Sequence, residues 1–266
     1  MISNKVALIT GGGGTIGKAI AKAFLAQNIS VILTGRRLSK LEEVKRNLLE
    51  EQAYSSSTTT LEERANVHAI PSDISNEESV IQLFQQIDQL DECVGRCGVD
   101  ILVNNAGINS TANTLDELTA VDMEAVLGVN VVGAFLCARE AMKRMKRKEE
   151  NDGGRGRIIN IGSISAFSPR PNSTAYTTSK FAITGLSKSL SLDGRAHGIA
   201  VGTIHPGNVV SDLLSPEDVE VRGRTEGFLR PEDVAQCVLT MVQLPYTANV
   251  LELTVIPTSQ PFIGRG

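Results

Sequence analysis

Tyr176 and Lys180 stand four positions apart in the run Tyr176-Thr177-Thr178-Ser179-Lys180, and Ser163 precedes them just beyond the apolar run Arg157 to Ile161. Positions i and i+4 share one face of a helix, so the ammonium can lie beside the phenol. A free phenol titrates near 10, roughly three units too high for a general base at neutral pH, and a fixed cation favours its phenolate. With a neighbouring hydroxyl to orient the reacting oxygen, the group suits proton transfer to or from an alcohol. Tyr-x-x-x-Lys by itself more often marks a solvated helix face. Its meaning therefore depends on the elements that carry it.

Those elements alternate. Short apolar runs rich in β-branched residues occur at Val6 to Thr10, Ile29 to Thr34, Val67 to Ile70, Ile101 to Val103, Arg157 to Ile161, Ile199 to Ile204 and Val250 to Ile256. Stretches of helical period begin between them near Thr15, Leu38, Asn76, Thr119, Thr174 and Pro231. Such alternation predicts an α/β fold, a doubly wound, Rossmann-like, seven-stranded parallel sheet with helices on both faces. The polar run Ser55 to Thr60 reads as a surface loop, and Lys143 to Lys148 as a charged helix end whose cations suit the helix dipole rather than a polyanion.

At 266 residues, 41% hydrophobic and 21% charged, the chain has the balance of one globular domain spanning 1–266. A formal charge of −4 argues against a general nucleic-acid binder. No apolar run approaches the ~18 residues of a membrane helix, and entry into the first strand by Lys5 leaves no room for a leader, so a cytoplasmic protein is expected. Cys93, Cys97, Cys137 and Cys237 lack CxxC spacing and read as buried or incidental thiols, although Cys93 and Cys97 could share a helix face. No metal site is expected.

The first strand runs into Thr10-Gly11-Gly12-Gly13-Gly14-Thr15-Ile16-Gly17 and then an apolar-periodic helix. Gly11, Gly14 and Gly17 allow backbone to approach a pyrophosphate at a helix N-terminus, where free N–H groups and the dipole favour anions. A plain glycine-rich turn is the alternative, and the strand-before, helix-after context favours the dinucleotide. The second strand ends Thr34-Gly35-Arg36-Arg37, without the acid that would bind an NAD ribose and with two arginines suited to a 2′-phosphate. NADP is the preferred cofactor on this reading, with NAD possible. Within Pro71-Ser72-Asp73-Ile74, Asp73 either accepts from the adenine amino group or caps the next helix.

With Asn104-Asn105-Ala106-Gly107 after the fourth strand, the chain resembles the short-chain dehydrogenases/reductases, in their single-domain subtype, from Lys5 to about Ile256. The resemblance implies a catalytic set of Asn130, Ser163, Tyr176 and Lys180. It also implies that Asn105, Ala106, Gly107, Thr15, Ile16 and Ile74 line the dinucleotide and that Pro206, Gly207, Val209 and Ser211 hold its nicotinamide end. Tyr176 would protonate a carbonyl oxygen during hydride transfer from NADPH, Ser163 would orient that oxygen, Lys180 would bind the ribose and lower the phenol pKa, and Asn130 would anchor a relay water. Thr15 departs from the commonest glycine pattern, and the ending Val255 to Phe262 departs from the usual glycine-rich one.

The expected activity is hydride exchange between NADP(H) and a carbonyl or secondary alcohol, with a catalytically silent NADP(H) sensor as the alternative. A small polar or medium-sized ketone is the expected substrate, held by two loops, Ile164 to Asn172 and a lid at 212–229. Arg170 reads as a solvated loop arginine or a carboxylate binder, and His205 as a structural imidazole or a substrate contact. From the resemblance, a homotetramer or homodimer is expected, built through the helices Thr119 to Lys148 and Thr174 to Arg195.

Overall fold

The computed structural model describes residues 4–55, 65–91, 93, 97–110, 114–150, 154–211 and 216–262. Seven parallel strands, β1 (Val6–Thr10), β2 (Ser30–Gly35), β3 (Val67–Pro71), β4 (Ile101–Asn104), β5 (Gly156–Ile161), β6 (Ile199–Pro206) and β7 (Glu252–Val255), form one sheet in the order β3-β2-β1-β4-β5-β6-β7. Because β1 pairs with both β2 and β4, the winding reverses there, and the carboxyl ends of these strands open a crevice. Strands buried on both faces read as near-continuous apolar runs, as Val6 to Ile9 does before Thr10.

Helices α1 (Thr15–Leu25), α2 (Leu38–Ser55), α3 (Glu77–Ile87), α4 (Ala120–Leu127), α5 (Ala134–Met145), α6 (Thr174–Arg195), α7 (Pro216–Thr225) and α8 (Pro231–Gln243) follow in chain order. One core layer joins Ile20 and Phe24 of α1 and Val238 of α8 to Ile9 and Leu33. The opposite layer joins Phe84 of α3 and Ala138 of α5 to Leu8 and Ile158. Local chemistry sets several helix starts. Asn76 caps α3 by accepting from Ser79 N at 2.9 Å, and Thr119 and Asp122 form a reciprocal capping box on α4.

Four expectations change. The long helix from Thr119 is interrupted by a π-helical stretch at Gly128–Gly133, where Gly133 lets the backbone press on Ile74, whose Cδ1 lies 2.8 Å from where a Cβ would sit. The continuous stretch Ala120–Met145 is long and apolar enough by composition to cross a membrane, because scattered residues such as Asp122, Glu124 and Asn130 break up its apolar runs without ending the helix. Much of α5 is instead packed in the core, including Leu136, Cys137, Ala138, Ala141 and Met145. The lid is not simply a loop, since 216–225 forms α7, a solvated helix that carries the i,i+4 pair Arg224–Glu220 at 2.6 Å. Residues 212–215 of the lid and 56–60 of the polar run lie outside the described residues. Finally, Cys93 and Cys97 sit in turns beyond α3 rather than on a helix.

The cationic end of α5 is internally paired. Arg144 bonds Asp88 and Glu140, Lys143 bonds Glu140, and Lys148 bonds Asp100 at 2.7 Å. Burial pushes the Cys137 thiol up to about 12, which keeps it protonated and unreactive.

Candidate active site

The crevice beside β1 is a groove of about 320 Å³. Gly11, Gly14, Thr15, Ile16, Arg36, Arg37, Asp73, Ile74, Asn105, Ala106, Gly107 and Ser211 all line it. At Gly11 the backbone has φ +64°, and a Cβ there would lie 2.9 Å from Ala106 Cα. Both features demand glycine. Gly14 is the N-cap of α1 and has no side-chain cap bond, so the first turn presents its N–H groups to the groove. These features fit a dinucleotide phosphate. Gly17 does not line the groove; a Cβ on it would meet Gly11 O at 2.5 Å, so its part is to let α1 pack against the turn.

Neighbouring side chains hold this turn in place. Thr10 Oγ1 accepts from Asn105 N and Ala106 N, both at 3.0 Å, while Asn105 Nδ2 donates to Thr10 O and Gly11 O. Asn104, buried, donates to Asn160 Oδ1 at 2.9 Å and to Ala134 O, tying β4 to β5 and α5. At the far end, Asp73 Oδ1 accepts from Ser75 N and Ser75 Oγ. The α3 cap is Asn76, so Asp73 is not the cap and its carboxylate lines the groove. Sequence reasoning missed Lys40, in the first turn of α2, which adds a third cation to the lining. Its place at the start of α2, just after the two arginines, was the available signal.

Beyond Gly107 lie the residues of the proton-transfer group. A Cβ on Gly107 would stand 3.5 Å from Asn130 Oδ1 and 3.9 Å from Lys180 Nζ. Asn130 is buried in the π-helical stretch with its amide committed: Oδ1 accepts from Ile108 N at 2.8 Å, and Nδ2 donates to Ile108 O and Ser179 Oγ, each at 3.0 Å. Both N–H donors are used, so this amide has none to give a relay water. Ser163 follows β5, its Oγ accepting from Ser165 N at 3.1 Å. Residues 164–166 form a short 3₁₀ turn where a loop was expected.

The Ser163 side chain stands beside the Tyr176 phenol and favours its charged form. Burial holds the phenol above its ordinary value, against the pull of Ser163 and of Arg222 on α7. Lys180 Nζ lies 5.4 Å from the Tyr176 ring centroid and donates to Ile161 O at 2.8 Å. Burial lowers its pKa to about 8. Desolvation outweighs the opposing contributions at the phenol, which come from Ser163 and Arg222. A neutral phenol next to a hydroxyl is a proton donor.

Pro206 ends β6, Ser211 reaches the groove, and Val209 is buried in a bridge to Leu229. Val209 is thus a core residue that shapes this segment from beneath. Gly207 N donates to Val255 O at 2.7 Å. His205 is fully buried; its Nδ1 lies 3.1 Å from Ser163 O and its ring is 4.6 Å from that of Phe167. The structural reading of this imidazole is the one the contacts support. Arg170 is neither solvated nor open to a substrate carboxylate, since its guanidinium is bound to Glu226 and Asn208.

A family model described as short chain dehydrogenase matches residues 5–220. The chain belongs to the short-chain dehydrogenase family. The farnesol dehydrogenase of Aedes aegypti is 31% identical over 264 residues, covering 98% of each chain. A 3-ketoacyl-(acyl-carrier-protein) reductase from Brucella melitensis, solved with NADH, superposes with TM-score 0.81 at 25% identity, covering 97% of this chain and 99% of that one. Serine dehydrogenase in a closed form with NADP+ gives TM-score 0.80 at 25% identity over 98% of each chain. This short-chain dehydrogenase is an NAD(P)(H)-dependent oxidoreductase of small carbonyls and alcohols.

The arrangement offers a carbonyl oxygen a proton on Tyr176 beside a charge on Lys180. Both are present below pH about 8; above it Lys180 loses its charge. We expect kcat/KM for reduction to fall as pH rises through this value, and the limb to move upward by at least about one unit in Lys180→Arg, whose guanidinium stays charged. An unmoved limb in that variant would show that Lys180 ionisation does not govern the rate.

Proposed function

We propose that this short-chain dehydrogenase is an NADP(H)-preferring carbonyl reductase or alcohol dehydrogenase in which Tyr176 is the proton donor. The observation that carries this reading is the Tyr176 phenol, held toward its neutral form by burial and set beside Ser163 and Lys180, at the end of the glycine-turn groove. When bound, the dinucleotide supplies the hydride. The turn at Gly11, Gly14, Thr15 and Ile16 holds its pyrophosphate; Arg36, Arg37 and Lys40 receive a 2′-phosphate; Asp73 and Ile74 face the adenine. Asn105, Ala106, Gly107 and Ser211 position the remainder, with Pro206 and Gly207 supporting the last segment.

Ser163 orients the substrate oxygen, and Tyr176 delivers its proton there, so that developing negative charge meets donors already in place. Lys180 acts from the groove side, where the ribose would lie. Asn130 contributes by tying the Ile108 main chain to Ser179, one residue before Lys180. The substrate we propose is a medium-sized carbonyl compound with an apolar portion, since Phe167, just beyond Ser163, is 44% exposed.

We also propose assembly into a homodimer or homotetramer through α4, α5 and α6. Val121 of α4, Val132 of the π-helical stretch and Phe135 of α5 leave apolar surface exposed, as do Phe181 and Leu192 on α6. Replacing both Phe135 and Phe181 with Lys should convert the protein to monomers in sedimentation velocity, and an unchanged assembly would place the interface elsewhere.

Two experiments test the chemistry. Tyr176→Phe should abolish turnover while NADPH fluorescence titration still shows binding; undiminished turnover would remove Tyr176 from its role, and an undiminished regulatory output would favour a sensor. Replacing Arg36 and Arg37 together with Ala should weaken NADPH by about a hundredfold, and NADH by much less, if their charge pairs with a phosphate. Equal losses would refute the NADP preference.

A further inference from the structure

The ending 255–262, so unlike the glycine-rich ending of the family pattern, meets the lid on one carboxylate. Glu226 follows α7, and its oxygens accept from both terminal nitrogens of Arg170, from Asn208 Nδ2 at 2.9 Å and from Gln260 Nε2 at 3.1 Å. The same partners also bond to one another. Arg170 Nη2 donates to Asn208 Oδ1 at 3.1 Å, Asn208 N donates to Gln260 Oε1 at 3.1 Å, and Ser259 Oγ donates to Glu226 O at 2.8 Å. Asn208 and Gln260 are buried at 7% and 4% exposure. Charge-assisted bonds shielded in this way are the strong kind.

Four segments distant in sequence converge there: the loop beyond Ser163, the turn after β6, the end of the lid and the C-terminal segment. Two glycines make the approach possible. A Cβ on Gly207 would stand 2.1 Å from Gln260 Oε1, and Gly227 has φ +73° with Ser259 Oγ 2.5 Å from its Cβ position. Phe262 then continues the contact, its ring 6.4 Å from that of Phe167, which packs on His205 beneath Ser163.

We infer that Glu226 is a positioning residue that clamps the lid, the turn after β6 and the loop beyond Ser163 to the C-terminal segment, making Gln260 and Phe262 part of the wall of the carbonyl site. This rests on the proposed reaction for the word carbonyl, and on the contacts alone for the clamp. Arg170 is consumed by the clamp, which leaves it no charge for a substrate. The wall contributed by Phe167 and Phe262 is aromatic, and suits the apolar portion of a ketone rather than a second carboxylate.

The test uses the full-length chain with Glu226→Gln, which preserves shape, and with Arg170→Ala and Gln260→Ala as independent routes should the first fail to fold. Hydrogen exchange followed by mass spectrometry, with and without NADPH, should accelerate together in 164–172, 206–211, 226–229 and 257–262 in each variant, leaving β1 and α1 unchanged. With ethyl acetoacetate and 9,10-phenanthrenequinone as ketone probes, KM should rise by about tenfold, as expected for losing a hydrogen bond to a charged group, with a smaller change in kcat and NADPH affinity within about twofold. Acceleration confined to the segment carrying the substitution, or an unchanged KM, would overturn the clamp. If neither probe is reduced by the wild-type enzyme while the coupled exchange is seen, the clamp stands and the proposed reaction is what fails.

Discussion

A single buried amide, that of Asn130, fixes the distance between the cofactor groove and the proton-transfer residues. Its Oδ1 and Nδ2 close on the N–H and C=O of Ile108, which lines the groove, and its second N–H reaches Ser179 Oγ on α6. Ser179 in turn donates to Tyr176 O at 2.7 Å, and Lys180 is its neighbour. The groove wall and the face of α6 that carries Tyr176 and Lys180 are thereby held in one hydrogen-bonded chain. Asn130 and Ser179 are buried, so losing the bond between them leaves an unpaired polar atom, which costs more than the bond itself gains. The π-helical stretch at Gly128–Gly133 carries this residue, and the close approach of Gly133 to Ile74 seats that stretch against the other side of the groove.

Desolvation governs the electrostatics of the same place. It moves the Tyr176 phenol up and the Lys180 ammonium down, each toward its neutral form. What opposes it at the phenol is the Ser163 side chain and a charge on α7, so part of the field at the phenol oxygen belongs to the lid. The end of that lid is in turn held by Glu226 to three other segments. The substrate end of the molecule is thus organised by charge pairs among loops, whereas the cofactor end is organised by backbone approach at glycine.

Much of this was legible in the residues. The strands read true to within about two residues because each is a short apolar run between turn residues, and Thr15, Leu38, Thr174 and Pro231 open their helices as expected. Asn76 and Thr119 were legible as starts for the same reason, since their side chains cap the first turn. Gly11, Arg36 and Asp73 were found because the element order brings them to one crevice. Helix α7 was missed because its sequence carries charge at helical spacing without an apolar stripe, and its partners are solvent and ion pairs. Glu226, Asn208 and Gln260 carried no local signal at all, each being an ordinary polar residue until its three partners arrive.

Sequence alone determined the alternation of strands and helices, the glycine turn, the position of Ser163 relative to Tyr176 and Lys180, and the family that these imply. Each is a statement about neighbours a few residues apart, or about the order of elements, and hydrophobic period and backbone sterics decide it. Only the tertiary structure decided that Asn130 is a staple, that Arg170 is spent on Glu226, that burial raises the phenol, and that the C-terminal segment meets Glu226. Those outcomes depend on which side chains lose water together, and residues as far apart as Arg170, Asn208, Glu226 and Gln260 come to share one carboxylate only after the sheet has brought their loops to the same edge.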